Sequence, residues 1–442
     1  MIRTFGRTVI ATAIAGLFSA SMNGAYGAGF QLFEQSASGQ GNAYAGAAAV
    51  AEDASTIFFN PAGLSFLDGA PFAIVGHVIN LSAEFSGTAT NNATCVPPSC
   101  ATTGNTGGDI GDTAFVPNVY AAMSIGDKWD IGIGINAPFG LKTEYNANWD
   151  GRFQGVKSEL ASLNVNPTVS YRISDSFSIG GGINWQRFEA ELTNAVFLPV
   201  ALNTFVEGST KLEADDDGWG WNIGALWQLS QATRLGVAYR SEIDYTLEGN
   251  VTTLDPTGAL VAAASGAAKG DATLPDMLSL SVAFQASDRF QLLADITRTG
   301  WSSINQINVV DPATGTTRDV LVLDFDDAFR YSIGGNYVLG DFWTLKAGLA
   351  FDETPVKNAE TRTVRLPDND RTWISIGLQR KVGQSGKRVG TFDIAYSHIF
   401  IKDAPINHTK LQPTPLGTPS STVTGNYEGS VDVFSIQYSV QF

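Results

Sequence analysis

Histidine, the side chain that most often acts as a general base in catalysis, is scarce in this sequence. The 442 residues include three histidines, His77, His398 and His408, and nothing singles out a serine to accompany one of them. Nucleophilic catalysis needs such a nucleophile and base, oriented by a third group. The Gly39-x-Gly41 spacing follows no predicted strand, so it is not a nucleotide-binding fingerprint. We predict that the chain is not an enzyme and has no cofactor and no metal site.

Side chains that could bind a ligand are easier to identify than catalytic ones. Arg240, Arg330 and Lys346 each follow or precede an apolar residue within an alternating segment, so their side chains would point to the polar face of a strand. A cation there could form a charge-assisted pair with a ligand carboxylate. The alternative is that these cations pair with acids of the same protein, such as Asp244, Asp295, Glu52 and Asp53.

Two long connections carry apolar clusters. One follows the fifth strand-like segment and the other follows the seventh. Exposed apolar patches usually mark binding surfaces, and packing of the loops against each other is the alternative. We predict a groove for an apolar ligand made by Phe197, Leu198, Val200, Leu202, Phe205, Leu260 and Val261.

The only two cysteines, Cys95 and Cys100, lie in one polar stretch. In an exported protein this spacing predicts a small loop disulfide. A metal site would need further ligands, and none are close in sequence.

The first 27 residues have the pattern of a secretory signal. Arg3 and Arg7 precede an apolar run, and Ala25-Tyr26-Gly27 offers small residues for cleavage before Ala28. No later stretch reaches the roughly 18 apolar residues of a membrane helix. The chain carries 43 acidic and 27 basic residues. This acidic balance argues against nucleic acid as a partner.

The carboxyl-terminal residues alternate and end on an aromatic residue. Phe434, Ile436 and Tyr438 would stand on one strand face, and Ser435 and Gln437 on the other. Fourteen segments of this kind can be found, with approximate bounds 71–87, 113–125, 129–137, 159–173, 176–192, 214–229, 232–249, 270–286, 289–301, 322–338, 342–352, 370–381, 389–402 and 427–442.

The connections between these segments alternate in length. Short turns such as Ser174-Asp175 and Gly340-Asp341 separate long links such as 193–213 and 403–426. Outer-membrane barrels combine short periplasmic turns with long extracellular loops. We predict an all-β, 14-stranded antiparallel β-barrel over residues 71–442 that crosses the bacterial outer membrane, contacts its lipid and acts as a monomer.

Residues 28–70 do not follow the strand pattern. They are rich in alanine and small residues, which suggests short helices and turns. A 14-stranded barrel has a lumen too wide for wall side chains to fill. We predict that this segment is a hatch that plugs the lumen; a periplasmic extension is the alternative.

The run GFQLFEQSASGQGNAYAGAAAVAEDASTIFFNPAGL, residues 29–64, resembles the hatch of the FadL/TodX family of outer-membrane long-chain fatty-acid transporters. The resemblance includes Gly29-Phe30 and Asn60-Pro61-Ala62, and the strand pattern extends it over the mature chain. It implies passive uptake of hydrophobic molecules and an inward kink of the third strand that opens the wall sideways. Residues that could form this opening are Gly132, Gly134, Asn136 and Pro138; a proline that merely ends the strand is the alternative.

The resemblance therefore predicts passive transport of long-chain fatty acids across the outer membrane. Uptake of monoaromatic, toluene-like hydrocarbons by the same fold is the alternative. A general diffusion porin or a surface receptor would share the barrel, but a porin needs an open polar lumen. The hatch is the feature that separates the transporter from the porin.

Overall fold

The computed structural model describes residues 28–96, 100, 104–383 and 390–442. The predicted signal peptide, residues 1–27, lies outside the described residues. No helix in the part of the chain that the structure describes is long and apolar enough to cross a membrane.

The wall is built from fourteen antiparallel strands, three of which are interrupted. In chain order they are β1 Pro71–Asn92, β2 Thr113–Ile125, β3 Trp129–Asn136 and Gly140–Glu144, β4 Lys157–Ser174, β5 Phe177–Ala201, β6 Thr204–Gln228, β7 Thr233–Arg240 and Ile243–Leu254, β8 Gly266–Leu274 and Met277–Ser287, β9 Phe290–Thr299, β10 Ala328–Leu339, β11 Trp343–Asp352, β12 Arg371–Val382, β13 Gly390–Leu411 and β14 Ser420–Gln441.

The sheet closes on itself because β14 pairs with β1. The register runs from Pro71 opposite Gln441 to Asn92 opposite Ser420. Closure pairs the first strand with the last, so neither end of the sheet is left as a free edge in the membrane. The predicted 14-stranded barrel is confirmed.

Side chains alternate across the wall as the pattern of the last strand predicts. Phe434, Ile436 and Tyr438 are 45%, 42% and 42% exposed on the outer face. Ser435 and Gln437 are fully buried on the inner face. Strand alternation therefore separates a lipid-facing apolar surface from a polar lumen.

Two links that the sequence predicts as loops are mostly strand. β5 and β6 stay paired from Phe177 opposite Trp227 to Ala201 opposite Thr204, and β13 and β14 stay paired up to Leu411 opposite Ser420. Two neighbouring strands that extend beyond the membrane can remain paired, because their backbone N–H and C=O groups continue to form hydrogen bonds with each other. The length of a link alone does not distinguish such a hairpin from a loop.

Residues 28–70 pack against the inner face of the wall. They contain three one-turn helices, α1 Ala37–Gln40, α2 Ala47–Val50 and α3 Thr56–Phe59, and a 3-10 helix, Pro61–Phe66. Most of their side chains are buried. We call this segment the hatch.

Wall glycines allow the hatch backbone to approach closely. A Cβ atom at Gly348 would lie 2.1 Å from the carbonyl oxygen of Asn42, and one at Gly236 would lie 1.9 Å from that of Ala48. Real side chains do not reach such distances, so the hatch would have to move.

We expect Gly348→Ala to displace the hatch and to raise ion conductance of the purified protein in planar bilayers above the wild-type level, because close packing excludes water from the lumen. Gly335→Ala is the matched control, since Gly335 faces outward, away from the hatch, and an added Cβ would lie 3.0 Å from the Phe290 ring and 3.1 Å from the Gln291 carbonyl oxygen. Equal conductance in the two variants would contradict this role of Gly348.

Candidate functional site

The Asn-Pro-Ala motif fixes the hatch to the barrel wall through the hydrogen bonds of the Asn60 side chain. The Asn60 side-chain oxygen accepts a hydrogen bond from the Ala62 N–H at 3.1 Å, which caps the 3-10 helix, and Pro61 occupies its first turn. The Asn60 amide donates to the carbonyl oxygens of Ala48 at 2.7 Å and Ala225 at 3.0 Å. One side chain therefore joins the 3-10 helix, α2 and the wall strand β6.

The lumen cations Arg240 and Lys346 bind the hatch. Arg240 donates to the carbonyl oxygen of Phe58 at 3.1 Å and lies over its ring at 4.5 Å. Lys346 contacts Glu52 at 2.8 Å and donates to the Ser38 carbonyl oxygen at 3.0 Å. For Lys346, the structure therefore shows pairing with a hatch acid, which was the alternative to a ligand contact.

Arg330 is held in a different environment. Its guanidinium donates to the Ala43 carbonyl oxygen at 2.9 Å and lies 4.6 Å from the Phe33 ring and 5.0 Å from the Trp373 ring. Two of its nitrogens, Nε and Nη1, have no hydrogen-bond partner among the described residues. All three predicted cations point into the lumen, and all three contact the hatch.

The third strand is interrupted at the place that the sequence indicates. Asn136 pairs with Asn164 of β4, and pairing with β4 resumes at Gly140 opposite Ala161. Three residues of β3 therefore stand against two of β4. Pro138 lies within this interruption, whereas Gly132 and Gly134 lie in the regular ladder before it and face the hatch residue Ile57.

The interruption separates β3 from β2. The ladder between them extends from Ile125 to Val119, and residues 113–118 have no described strand partner on the β3 side. The hatch satisfies the displaced backbone instead: the Leu32 N–H donates to the Pro138 carbonyl oxygen at 2.7 Å, and the Gly140 N–H donates to that of Phe30 at 2.9 Å. The wall thus has a gap in its hydrogen bonding that faces the hatch.

A cavity of about 570 Å³ lies in the half of the barrel that carries the long connections. This volume is in the range of small-molecule sites, about 300 to 1,000 Å³. Most of its surface is apolar, and its lining includes Leu160, Phe188, Leu212, Leu247, Leu274 and Ile307.

The cavity reaches the interruption of β3 through aromatic side chains. Phe30 lines the cavity, and its ring lies 5.9 Å from the Phe139 ring and 4.8 Å from that of Trp301. Phe139 belongs to the interruption itself. Phe30, which belongs to the predicted hatch motif, therefore lies between the cavity and the gap.

Arg365 is the cavity cation that the sequence reading missed. Its guanidinium donates to the carbonyl oxygens of Lys157 at 3.0 Å and Thr193 at 3.2 Å, and to the side chains of Ser158 and Asn194, both at 2.9 Å. All four acceptors are neutral. Burial lowers the pKa of Arg365 to about 10, so the group remains charged near neutral pH.

The other three cations among the described residues of the cavity contact acids, and one of them, Lys269, lies 3.8 Å from Glu248. Arg318 contacts Asp311 at 2.6 Å, and Lys410 contacts Asp319 at 2.9 Å.

Arg365 lies in the 353–370 connection, where no alternation indicates which way a side chain points. This connection carries several charged residues of both signs, among them Arg362, Asp368 and Asp370, so nothing in the sequence singled out Arg365.

The seven predicted groove residues occupy different environments. Leu198 lines the cavity. Phe197 and Phe205 are buried beside Phe153, with the Phe153 and Phe197 rings stacked at 4.0 Å, and the bonded Cys95 and Cys100 lie against this cluster. Solvent reaches the remaining four to different extents: Val200, Leu202 and Leu260 are 52%, 75% and 61% exposed, and Val261 is partly buried.

Comparison with known proteins agrees with this architecture. The sequence profile of a family described as outer membrane protein transport protein (OMPP1/FadL/TodX) matches residues 18–442. Outer membrane protein P1 of Haemophilus influenzae is 30% identical over 411 residues, covering 86% of this chain and 87% of that protein. The long-chain fatty acid transport protein of Escherichia coli K12 is 28% identical over 445 residues, covering 92% and 95%.

Solved structures show the same fold. The crystal structure of a Pseudomonas aeruginosa FadL homologue superposes with a TM-score of 0.86 at 25% identity, covering 94% of this chain and 100% of that one. The residues that the family profile matches, 18–442, include the hatch and the barrel. The chain therefore belongs to the OMPP1/FadL/TodX family of outer membrane transport proteins.

Proposed function

We propose that this protein passively carries long-chain fatty acids across the outer membrane. The apolar cavity of about 570 Å³ supports this proposal most directly. A general porin would need a polar, water-filled lumen, whereas here the hatch occupies the lumen and the cavity above it is apolar. Transfer of an acyl chain from water into such a cavity is favoured by about 0.8 kcal/mol for each buried CH₂ group.

Arg365 would hold the carboxylate of the fatty acid. It is buried and charged, and its four Nη hydrogens are bound to neutral acceptors, so its Nε–H is the group that can donate a charge-assisted hydrogen bond to a ligand oxygen. The acyl chain would lie along Leu160, Leu212 and Leu247.

The ligand would leave sideways through the gap between β2 and β3. This route is supported by the unpaired stretch of residues 113–118 and by the continuity of the cavity with Phe30 and Phe139. An apolar molecule that leaves there enters lipid and does not have to cross the periplasmic side of the hatch. No energy source is needed, because the ligand moves down its own concentration gradient.

The substrate class can be tested by calorimetric titration of the protein in lipid nanodiscs with oleate and with toluene. We expect oleate to bind and to displace toluene. Tight toluene binding that oleate does not displace would assign the cavity to aromatic hydrocarbons. Binding of neither would contradict the transport proposal and would favour a porin or receptor role.

A further inference from the structure

We propose that cleavage before Ala28 creates an α-ammonium group that pairs with Asp352 and Asp368 inside the barrel and completes a buried cluster of charges. The proposal rests on removal of residues 1–27 and does not depend on which hydrophobic ligand is carried. The processed N-terminus would then act as a positioning group for the hatch.

The two acids already contact the backbone nitrogens at this point of the chain. Asp352 accepts a hydrogen bond from the Ala28 N–H. The Gly29 N–H donates to Asp368 Oδ2 at 2.9 Å. Ala28, Asp352 and Asp368 are 4%, 3% and 3% exposed, and Asp352 Oδ2 has no hydrogen-bond partner among the described residues.

The surrounding cations leave Asp352 without a direct partner. Glu34, Asp352 and Asp368 lie near two guanidinium groups, Arg330 and Arg371. Arg371 pairs directly with Asp368, and a further guanidinium, Arg362, lies beside Asp368 and donates to its carbonyl oxygen at 2.8 Å. Among the described residues Asp352 forms no ion pair, and unpaired buried charges are costly, so a cation next to Asp352 would stabilise the cluster.

Processing supplies that cation. Hydrolysis of the Gly27–Ala28 peptide bond by a signal peptidase consumes one water molecule. The water oxygen joins the Gly27 carbonyl carbon to form a carboxylate, and the released nitrogen of Ala28 takes up protons to form an ammonium group. The uncleaved chain has a neutral amide at the same nitrogen, which carries one proton and no charge.

The position of Ala28 explains why its charge would matter. Gly29 adopts a φ of +64°, and a Cβ there would lie 2.6 Å from the Trp301 ring, so the backbone is held directly against this side chain. The next residue is Phe30, which stands between the cavity and the β3 interruption. An ion pair at Ala28 would therefore fix the position of Phe30.

The proposal can be tested on protein processed in cells and purified from outer membranes. Intact mass should show a chain that begins at Ala28. Acylation of the α-amine is then followed against pH by mass spectrometry of the N-terminal peptide. Because adjacent carboxylates favour the protonated amine, we expect half-maximal labelling of the folded protein at a pH about one unit or more above that of the urea-unfolded chain.

Variants separate the ion pair from simple burial. Asp352→Asn keeps the side-chain volume but removes the charge, and it should bring half-maximal labelling down by about one pH unit or more. Asp352→Glu should restore the wild-type profile. Asp370→Asn is the matched control, because Asp370 lies in the same connection and contacts the Thr354 N–H and Lys402.

Three results would overturn the proposal. One is a mature chain that begins at another residue. Another is a folded wild-type protein with the labelling profile of the unfolded chain, as expected if a protonated Glu34 neutralises the cluster; this result needs no variant to fold. The third is an Asp352→Asn profile identical to that of the wild type.

Discussion

Replacing Arg365 with glutamine is expected to weaken binding of dodecanoate by about tenfold or more, because a hydrogen bond to a charged group contributes about 1.5 to 3 kcal/mol. Dodecanol has the same chain without the charge, so its affinity should stay close to that for the wild-type protein. Calorimetric titration of both ligands in nanodiscs measures the difference.

The matched control is Lys410→Gln. Lys410 also lines the cavity, but its ammonium group is paired with Asp319. We expect this variant to bind dodecanoate with nearly the affinity of the wild-type protein. If Arg365→Gln and Lys410→Gln lower the affinity equally, or if Arg365→Gln also weakens dodecanol, then Arg365 supports the cavity wall and does not anchor a carboxylate.

The same anchor predicts a pH dependence with a definite sign. Arg365 has a pKa of about 10 and stays charged from acid to mildly alkaline pH. The ligand carboxyl group ionises near the ordinary value for carboxylic acids, about 4 to 5. Affinity for dodecanoate should therefore rise as the pH increases through this range and stay level to about pH 8, whereas affinity for dodecanol should not change.

Closing the gap in the wall is expected to reduce fatty-acid uptake to the background level. Replacing Ala137-Pro138-Phe139 with the two residues Val-Thr would match β3 one for one with β4 between Asn136 and Gly140. Valine would then face lipid and threonine the lumen, and β2 could pair with β3 along its whole length. Uptake of labelled oleate would be measured in cells that lack their own transporter.

The control for this experiment keeps the interruption but removes its proline. Pro138→Ala leaves three residues of β3 against two of β4, and we expect nearly normal uptake. Ligand binding to the purified Val-Thr variant should persist, since the cavity lies beyond the altered residues. Normal uptake by a correctly folded Val-Thr variant would contradict the lateral route.

Local sequence patterns were enough to predict the barrel wall and the presence of a segment inside it. Alternation such as that of Phe434, Ser435 and Ile436 is a local property, because neighbouring strand residues always point to opposite faces. The strand number, the facing of Arg240, Arg330 and Lys346 into the lumen, and the pairing of Cys95 with Cys100 followed from such local patterns. The hatch was identified by a long and specific motif.

The contacts of the lumen side chains could not be predicted from these patterns, because they join residues far apart in the chain. Lys346 meets Glu52 from a segment almost 300 residues earlier in the chain, and Arg365 reaches the cavity from a connection without any repeating pattern. The gap in the wall also depends on the neighbouring strands β2 and β3 together with the hatch, which lies far earlier in the chain. Periodicity fixes which face of a strand a residue occupies, but which residues meet across the lumen depends on barrel closure and on how the hatch is seated within it.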